Sequence, residues 1–183
     1  MKICVFCSAN QQIDPDFFTL TKELGLWMAE AGHTLVYGGV KCGLMECMAK
    51  AVHEAGGRTV GVIPQIVEQG GRISQYVDVE ILCDNLSDRK QLMQDKSDVF
   101  IALPGGIGTL DEIFSMAASA TIGYHQKPVI LYNMKGFWDG LTTMLDGLHA
   151  HGVTRKQWRS YIQVANSLDD IRTLLEEVPQ AAD

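Results

Sequence analysis

The chain has 183 residues, 46% of them hydrophobic, with a formal net charge of -7. That length supports one domain with a substantial core, so residues 1–183 are expected to fold as a single unit. The negative charge and the lack of any dense Lys/Arg run exclude a protein that tracks a polynucleotide backbone, and no apolar run approaches the about 20 residues of a membrane span.

The N-terminal apolar segment is too short for a signal peptide, and the five cysteines, an odd number, fit free thiols better than a disulfide framework. A cytoplasmic protein is expected. The first strand, KICVF at 2–6, ends in Cys7, Ser8, Ala9 and Asn10. Cys4 and Cys7 form a CxxC, but on a strand their opposite parity sends them to opposite faces, and no second pair completes a zinc site. Ser8 and Asn10 either donate to a phosphate or ribose or merely satisfy a turn. Asp14 and Pro15 read as helix cap and first helical residue, and Phe17, Leu20, Leu24, Trp27 and Met28 recur at helical spacing up to Gly32.

A second strand starting at His33 leads through Tyr37 into Gly38, Gly39 and, after Val40, Lys41 and Cys42, Gly43, a glycine-rich strand-to-helix turn. TVGVI at 59–63 is a third strand, stopped by Pro64. The polar stretch 65–76 reads as a mobile loop able to cover a site. A short strand over 77–83 precedes a helix over 84–97, which carries Arg89 and Lys90 side by side near its start. Read alone, that pair is a solvated one.

The organising stretch is VFIALPGGIGTLDE at 99–112. An apolar strand stops at Pro104, passes through Gly105, Gly106, Ile107 and Gly108, and restarts as a helix from Thr109. Glycines in such a turn can take positive φ and admit an anion to their N–H groups, and the helix N-terminus adds its free N–H groups and positive dipole end. Asp111 is accounted for as an ordinary first-turn acid. Glu112 is less so, because its i,i+3 spacing from Thr109 puts both on one face beside the glycine turn. Neither the Gly-Lys-Ser/Thr of a Walker loop nor GxGxxG is present. Beyond it, PVILY at 128–132 and 161–164 read as strands and 137–149 as a helix. Ser167 caps a closing helix, and Pro179 onward is expected to fray.

Alternating strands and helices at this spacing predict an α/β fold with a doubly wound, Rossmann-like parallel sheet. Its ligands bind outside the carboxyl ends of the strands, where both glycine turns fall.

These residues resemble a known family. PGGIGTLDE at 104–112 is similar to the signature PGGxGTxxE, and Asp88-Arg89-Lys90 with Met93 is similar to its upstream Arg-Lys segment. The family is LONELY GUY, the cytokinin riboside 5'-monophosphate phosphoribohydrolases, often mislabelled lysine decarboxylases. The likeness runs from Lys2 to about Tyr132.

The resemblance implies hydrolysis of the N-glycosidic bond of a purine nucleoside 5'-monophosphate, with Arg89 and Glu112 as the catalytic pair. It also implies that Lys90, Gly106, Gly108 and Thr109 contact the nucleotide, together with Gly105, Ile107, Gly38, Gly39, Gly43 and Ser8. No cofactor or metal is expected, and a homodimer or larger homo-oligomer is. The chain departs from the family at Val40 and Glu46 in the glycine turn, at 118–121 after the signature, and at 86–88 before the arginine. The base is left open between adenine and an N6-modified purine. A nucleotide carrier without turnover is the competing reading, and lysine decarboxylation a third.

Overall fold

The computed structural model describes residues 1–154 and 156–178; Pro179 onward, expected to fray, lies outside the described residues. In chain order the elements are β1 (Lys2–Phe6), α1 (Pro15–Glu30), β2 (Thr34–Tyr37), α2 (Gly43–Glu54), β3 (Arg58–Pro64), α3 (Gln65–Gln69) and β4 (Val79–Cys83). They continue with α4 (Leu86–Asp95), β5 (Val99–Ala102), α5 (Ile107–Thr121), β6 (Val129–Tyr132), α6 (Asp139–Ala150), β7 (Ile162–Ala165) and α7 (Leu168–Glu176).

The strands form one parallel sheet in the order β4-β3-β2-β1-β5-β6-β7, the doubly wound α/β architecture that the alternation implied. The chain steps outward from β1 to β4, then crosses back to place β5 on the other side of β1. The switch point, where such sheets bind ligands, therefore lies between the carboxyl ends of β1 and β5.

The central strands are apolar on both faces because helices cover both. Ile3 and Val5 face α1, α2 and α7 with Leu24, Met48 and Ile171. Cys4 and Phe6 face α4, α5 and α6 with Met93, Ile113 and Leu145. Cys4 and Cys7 thus lie on opposite faces and are both free. Local signals hold where they were read: Asp14 accepts from the Asp16 N–H ahead of α1, and Ser167 and Asp170 form a capping box on α7.

Two segments differ from expectation. The stretch 65–76 contains α3, and its remainder is stitched to the turn after β2. Val40 and Ile73 form an antiparallel bridge, Lys41 N–H donates to the Arg72 carbonyl (2.9 Å), and Ser74 N–H donates to the Gly39 carbonyl (2.9 Å). Polar composition concealed these backbone bonds, which need no particular side chain. The helix expected over 84–97 is shorter, because Asn85 caps it by accepting from the Ser87 and Asp88 N–H groups.

Candidate functional site

Three strand-to-helix turns converge at the switch point. Ser8 N–H, after β1, donates to the Pro104 carbonyl after β5 (3.0 Å), and Leu44 N–H at the start of α2 donates to the Ser8 carbonyl (2.9 Å). Gly43 sits at φ +55°, and a Cβ there would come within 2.7 Å of the Ser8 carbonyl oxygen. Glycine at 43 is required both by the left-handed backbone and by this close approach.

The turn after β5 works differently from the positive-φ loop expected. None of Gly105, Gly106 and Gly108 has positive φ. α5 begins at Ile107, two residues earlier than expected, with Gly106 as its cap at φ -97° and ψ -150°. The first intrahelical bond runs from Leu110 N–H to the Gly106 carbonyl (3.0 Å), leaving the Ile107, Gly108 and Thr109 N–H groups without helical acceptors. A Cβ at Gly105 would run into Thr109 Oγ1, whereas at Gly106 and Gly108 it would meet nothing within 4 Å. Packing therefore demands glycine at 105 but not at 106 or 108.

One turn into α5, Thr109 and Glu112 are buried together, 4% and 5% exposed. The Glu112 carboxylate accepts from Arg89 Nη1 on α4 (3.0 Å), and Arg89 Nε donates to the Val62 carbonyl of β3 (3.2 Å). Burial pushes the Glu112 carboxyl up to about 7. The neighbouring Asp111 charge adds to the rise, while the Arg89 cation beside it, and more distantly Lys90, hold it down. Desolvation outweighs the ion pair, which leaves a carboxyl that exchanges its proton near neutral pH.

These groups surround a cavity of about 310 Å³, at the lower end of ligand-site sizes. Six of the expected residues line it: Ser8, Arg89, Gly106, Gly108, Thr109 and Glu112. Cys7, Ala9 and Met45 also line it and were not anticipated. Cys7 follows the first strand and Met45 follows Gly43, so position after a strand end or glycine was the available signal. The Cys7 thiol is fully buried and pushed up by that burial, and stays protonated.

The other expected residues stand outside the lining. Gly38 abuts the Arg89 guanidinium, Gly39 sits at φ +69° against Ile63, and Gly43 and Gly105 make the close approaches described above. Ile107 is 83% exposed. Lys90 Nζ is bound by both oxygens of Asp111, each at 2.8 Å. Asn10 is used locally: its N–H donates to Ser8 Oγ, and its side-chain oxygen accepts from Gln12 N–H. Among the described residues no group of three or more His, Cys, Asp or Glu side chains could hold a metal ion.

A doubly wound sheet whose switch-point crevice presents free helix N–H groups beside a buried Arg–Glu pair defines an α/β protein of the Rossmann-like class. Comparison with known proteins narrows the class. The model of the family described as "Possible lysine decarboxylase" matches residues 45–175. The cytokinin riboside 5'-monophosphate phosphoribohydrolase of Mycobacterium tuberculosis is 36% identical over 168 residues, covering 92% of this chain and 89% of that protein. The enzyme of that name called LOG2, from Arabidopsis thaliana, is 33% identical over 183 residues, all of this chain and 86% of its own.

Among solved structures, the molybdenum cofactor carrier protein of Chlamydomonas reinhardtii superposes with a TM-score of 0.74 at 26% identity, covering 97% of this chain and 96% of that one. The chain belongs to the LONELY GUY family, whose model carries the lysine decarboxylase description.

Proposed function

We propose that the protein hydrolyses the N-glycosidic bond of a purine nucleoside 5'-monophosphate, releasing free base and ribose 5-phosphate. The observation that carries this reading is the buried Arg89–Glu112 pair, one helical turn from three N–H groups free to bind an anion. The cytokinin riboside 5'-monophosphate phosphoribohydrolase names of the relatives support the same reaction class.

In this mechanism the α5 N-terminus, through Gly106, Gly108 and Thr109, holds the 5'-phosphate, and Ser8 contributes from the turn after β1. Binding energy far from the reacting bond then fixes the ribose against Glu112. Departure of the base builds positive charge at C1', which ionised Glu112 stabilises while orienting ribose hydroxyls or the attacking water. A carboxyl poised at about 7 suits such work near neutral pH. Arg89 steadies the carboxylate and faces the departing base. The water's hydroxyl ends on C1', its proton goes to the departing base, and no redox partner is needed. Lys90 acts through Asp111, tying α4 to α5, rather than by touching the nucleotide.

Lysine decarboxylation through a Schiff base finds no support. Among the described residues no lysine lines the cavity; Lys90 is ion-paired to Asp111 and Lys41 is exposed. The carrier reading draws on the likeness to molybdenum cofactor carrier proteins, and turnover separates the two.

The chain is proposed to act as one domain, in a reducing compartment such as the cytoplasm, consistent with five free cysteines. It is also proposed to assemble as a homodimer through the apolar groove between α5 and α6. That groove, about 540 Å³, is bordered by Phe114, Ile122 and Val153, all exposed in the single chain.

The test is incubation of the purified protein with AMP and with its N6-isopentenyl analogue, following free base and ribose 5-phosphate, with Glu112→Gln as control. Base release lost in Glu112→Gln is the expected result, and the ratio of the two rates reads base preference. Tight AMP binding without release would favour a carrier.

A further inference from the structure

Gly38 does not line the cavity, and its backbone does not need to be glycine. Its φ lies outside the left-handed region. An ideal Cβ at that position would nevertheless overlap Arg89 Nη2 and stand 3.3 Å from Arg89 Cζ and 3.2 Å from Met45 Sδ. Gly38 lies just past the end of β2, so this contact crosses from β2 to the arginine on α4.

The three guanidinium nitrogens are held from three directions. Nε donates to the Val62 carbonyl of β3, Nη1 donates to Glu112 on α5, and Nη2 points end-on into the space beside Gly38, with no acceptor among the described residues. Two hydrogen bonds fix two corners of a planar group, and the room left at Gly38 admits the third.

We propose that Gly38 is a positioning residue for the Arg89–Glu112 pair: the space left by its missing side chain is the slot that the Nη2 corner of the Arg89 guanidinium occupies. This deepens the phosphoribohydrolase reading and rests on it for its consequence in catalysis, though not for the geometry itself. A methyl group in the slot meets the far end of a flexible side chain rather than backbone. The guanidinium yields before the fold does, and the penalty falls on placement.

The test is a double-mutant cycle of Gly38→Ala and Arg89→Lys, read by the midpoint of the Glu112 carboxyl in NMR titration and by kcat and KM for AMP. The groups facing Glu112 are Arg89 and Lys90 from α4, Asp111 on its own helix, and the neutral thiols of Cys4 on β1 and Cys7 just after it. Moving the guanidinium away weakens the one adjacent cation. Gly38→Ala is therefore expected to raise the Glu112 midpoint above about 7 and to lower kcat by up to about 100-fold, with KM changed far less.

A lysine at 89 has no atom at the Nη2 position, so in the Arg89→Lys background the same alanine is expected to move the midpoint little. The Met45 contact persists in both backgrounds. An equal effect of the alanine in both, no effect in either, or loss of the folded state in both would overturn the proposal. If the cycle shows coupling while no variant, nor the parent, releases base, the phosphoribohydrolase reading fails and the positioning role stands. Base release by the parent with no coupling in the cycle has the opposite meaning.

Discussion

Gly108→Ala separates what the fold needs from what a ligand needs, and the two effects have opposite signs. Gly108 is the second residue of α5, has no positive φ, and would carry a Cβ that meets nothing within 4 Å. Alanine in a helix at a compatible backbone position stabilises by about 0.5–1 kcal/mol, chiefly by restricting the unfolded chain. For a chain of this size about 1 kcal/mol is worth 2–4 °C, so the melting temperature is expected to rise by about 1–4 °C. The same methyl projects from a residue that lines the cavity and holds an anion away from the free N–H groups. Losing one hydrogen bond to a charged group costs about 1.5–3 kcal/mol, which is about 10- to 150-fold in affinity. Thermal unfolding by circular dichroism and titration calorimetry with AMP measure the two quantities on the same sample. A lower melting temperature with unchanged AMP affinity would refute both the account of the turn and the placement of the phosphate. Gly105→Ala is the built-in contrast: its Cβ would strike Thr109, and it is expected to destabilise.

Burial of Glu112 also makes stability depend on pH in a defined direction. Its folded-state value of about 7 lies above the ordinary 4.5, so between those limits the folded state binds more protons than the unfolded one. Stability then falls as pH rises from 5 to 8, by at most about 3 kcal/mol. Urea unfolding across that range is expected to show the slope in the parent and to lose it in Glu112→Gln. Base release is expected to rise through pH of about 7 as Glu112 ionises; a rate that falls over the same range would assign the protonated carboxyl the active role. At the proposed dimer face, Phe114→Asp with Ile122→Asp is expected to convert a dimer to a monomer in sedimentation, and a parent already monomeric would overturn the assembly.

The strands were legible because β1, β5 and β6 are apolar runs buried on both faces, and the ends of α1 and α7 because Asp14 and Ser167 cap by local bonds. What depended on long-range pairing was not. Val40 and Ile73 meet by backbone alone. Arg89 and Glu112 come together across two helices; here only family resemblance named the pair in advance. Lys90 follows Arg89, and neighbours on a helix do not share a face. Arg89 turns to Glu112 while Lys90 turns to Asp111. Gly38 marked a turn in the sequence, but nothing nearby indicated that an arginine 51 positions later would occupy its missing side chain.

The arrangement around Glu112 bears directly on carrier versus hydrolase. An anion at the α5 N-terminus needs free N–H groups and a positive dipole end, and gains nothing from a carboxylate one turn away. Burying that carboxylate costs stability that its partner Arg89 only partly offsets, as the upward shift of Glu112 records. A reaction that creates positive charge on the ribose reverses the balance. The carboxylate that repels the bound phosphate in the ground state attracts the ring as the base departs, so its interaction strengthens toward the transition state, where it lowers the barrier. Gly38 and the Val62 carbonyl are then what such a site requires around its arginine, since a guanidinium free to tilt would follow the carboxylate's charge and blunt it.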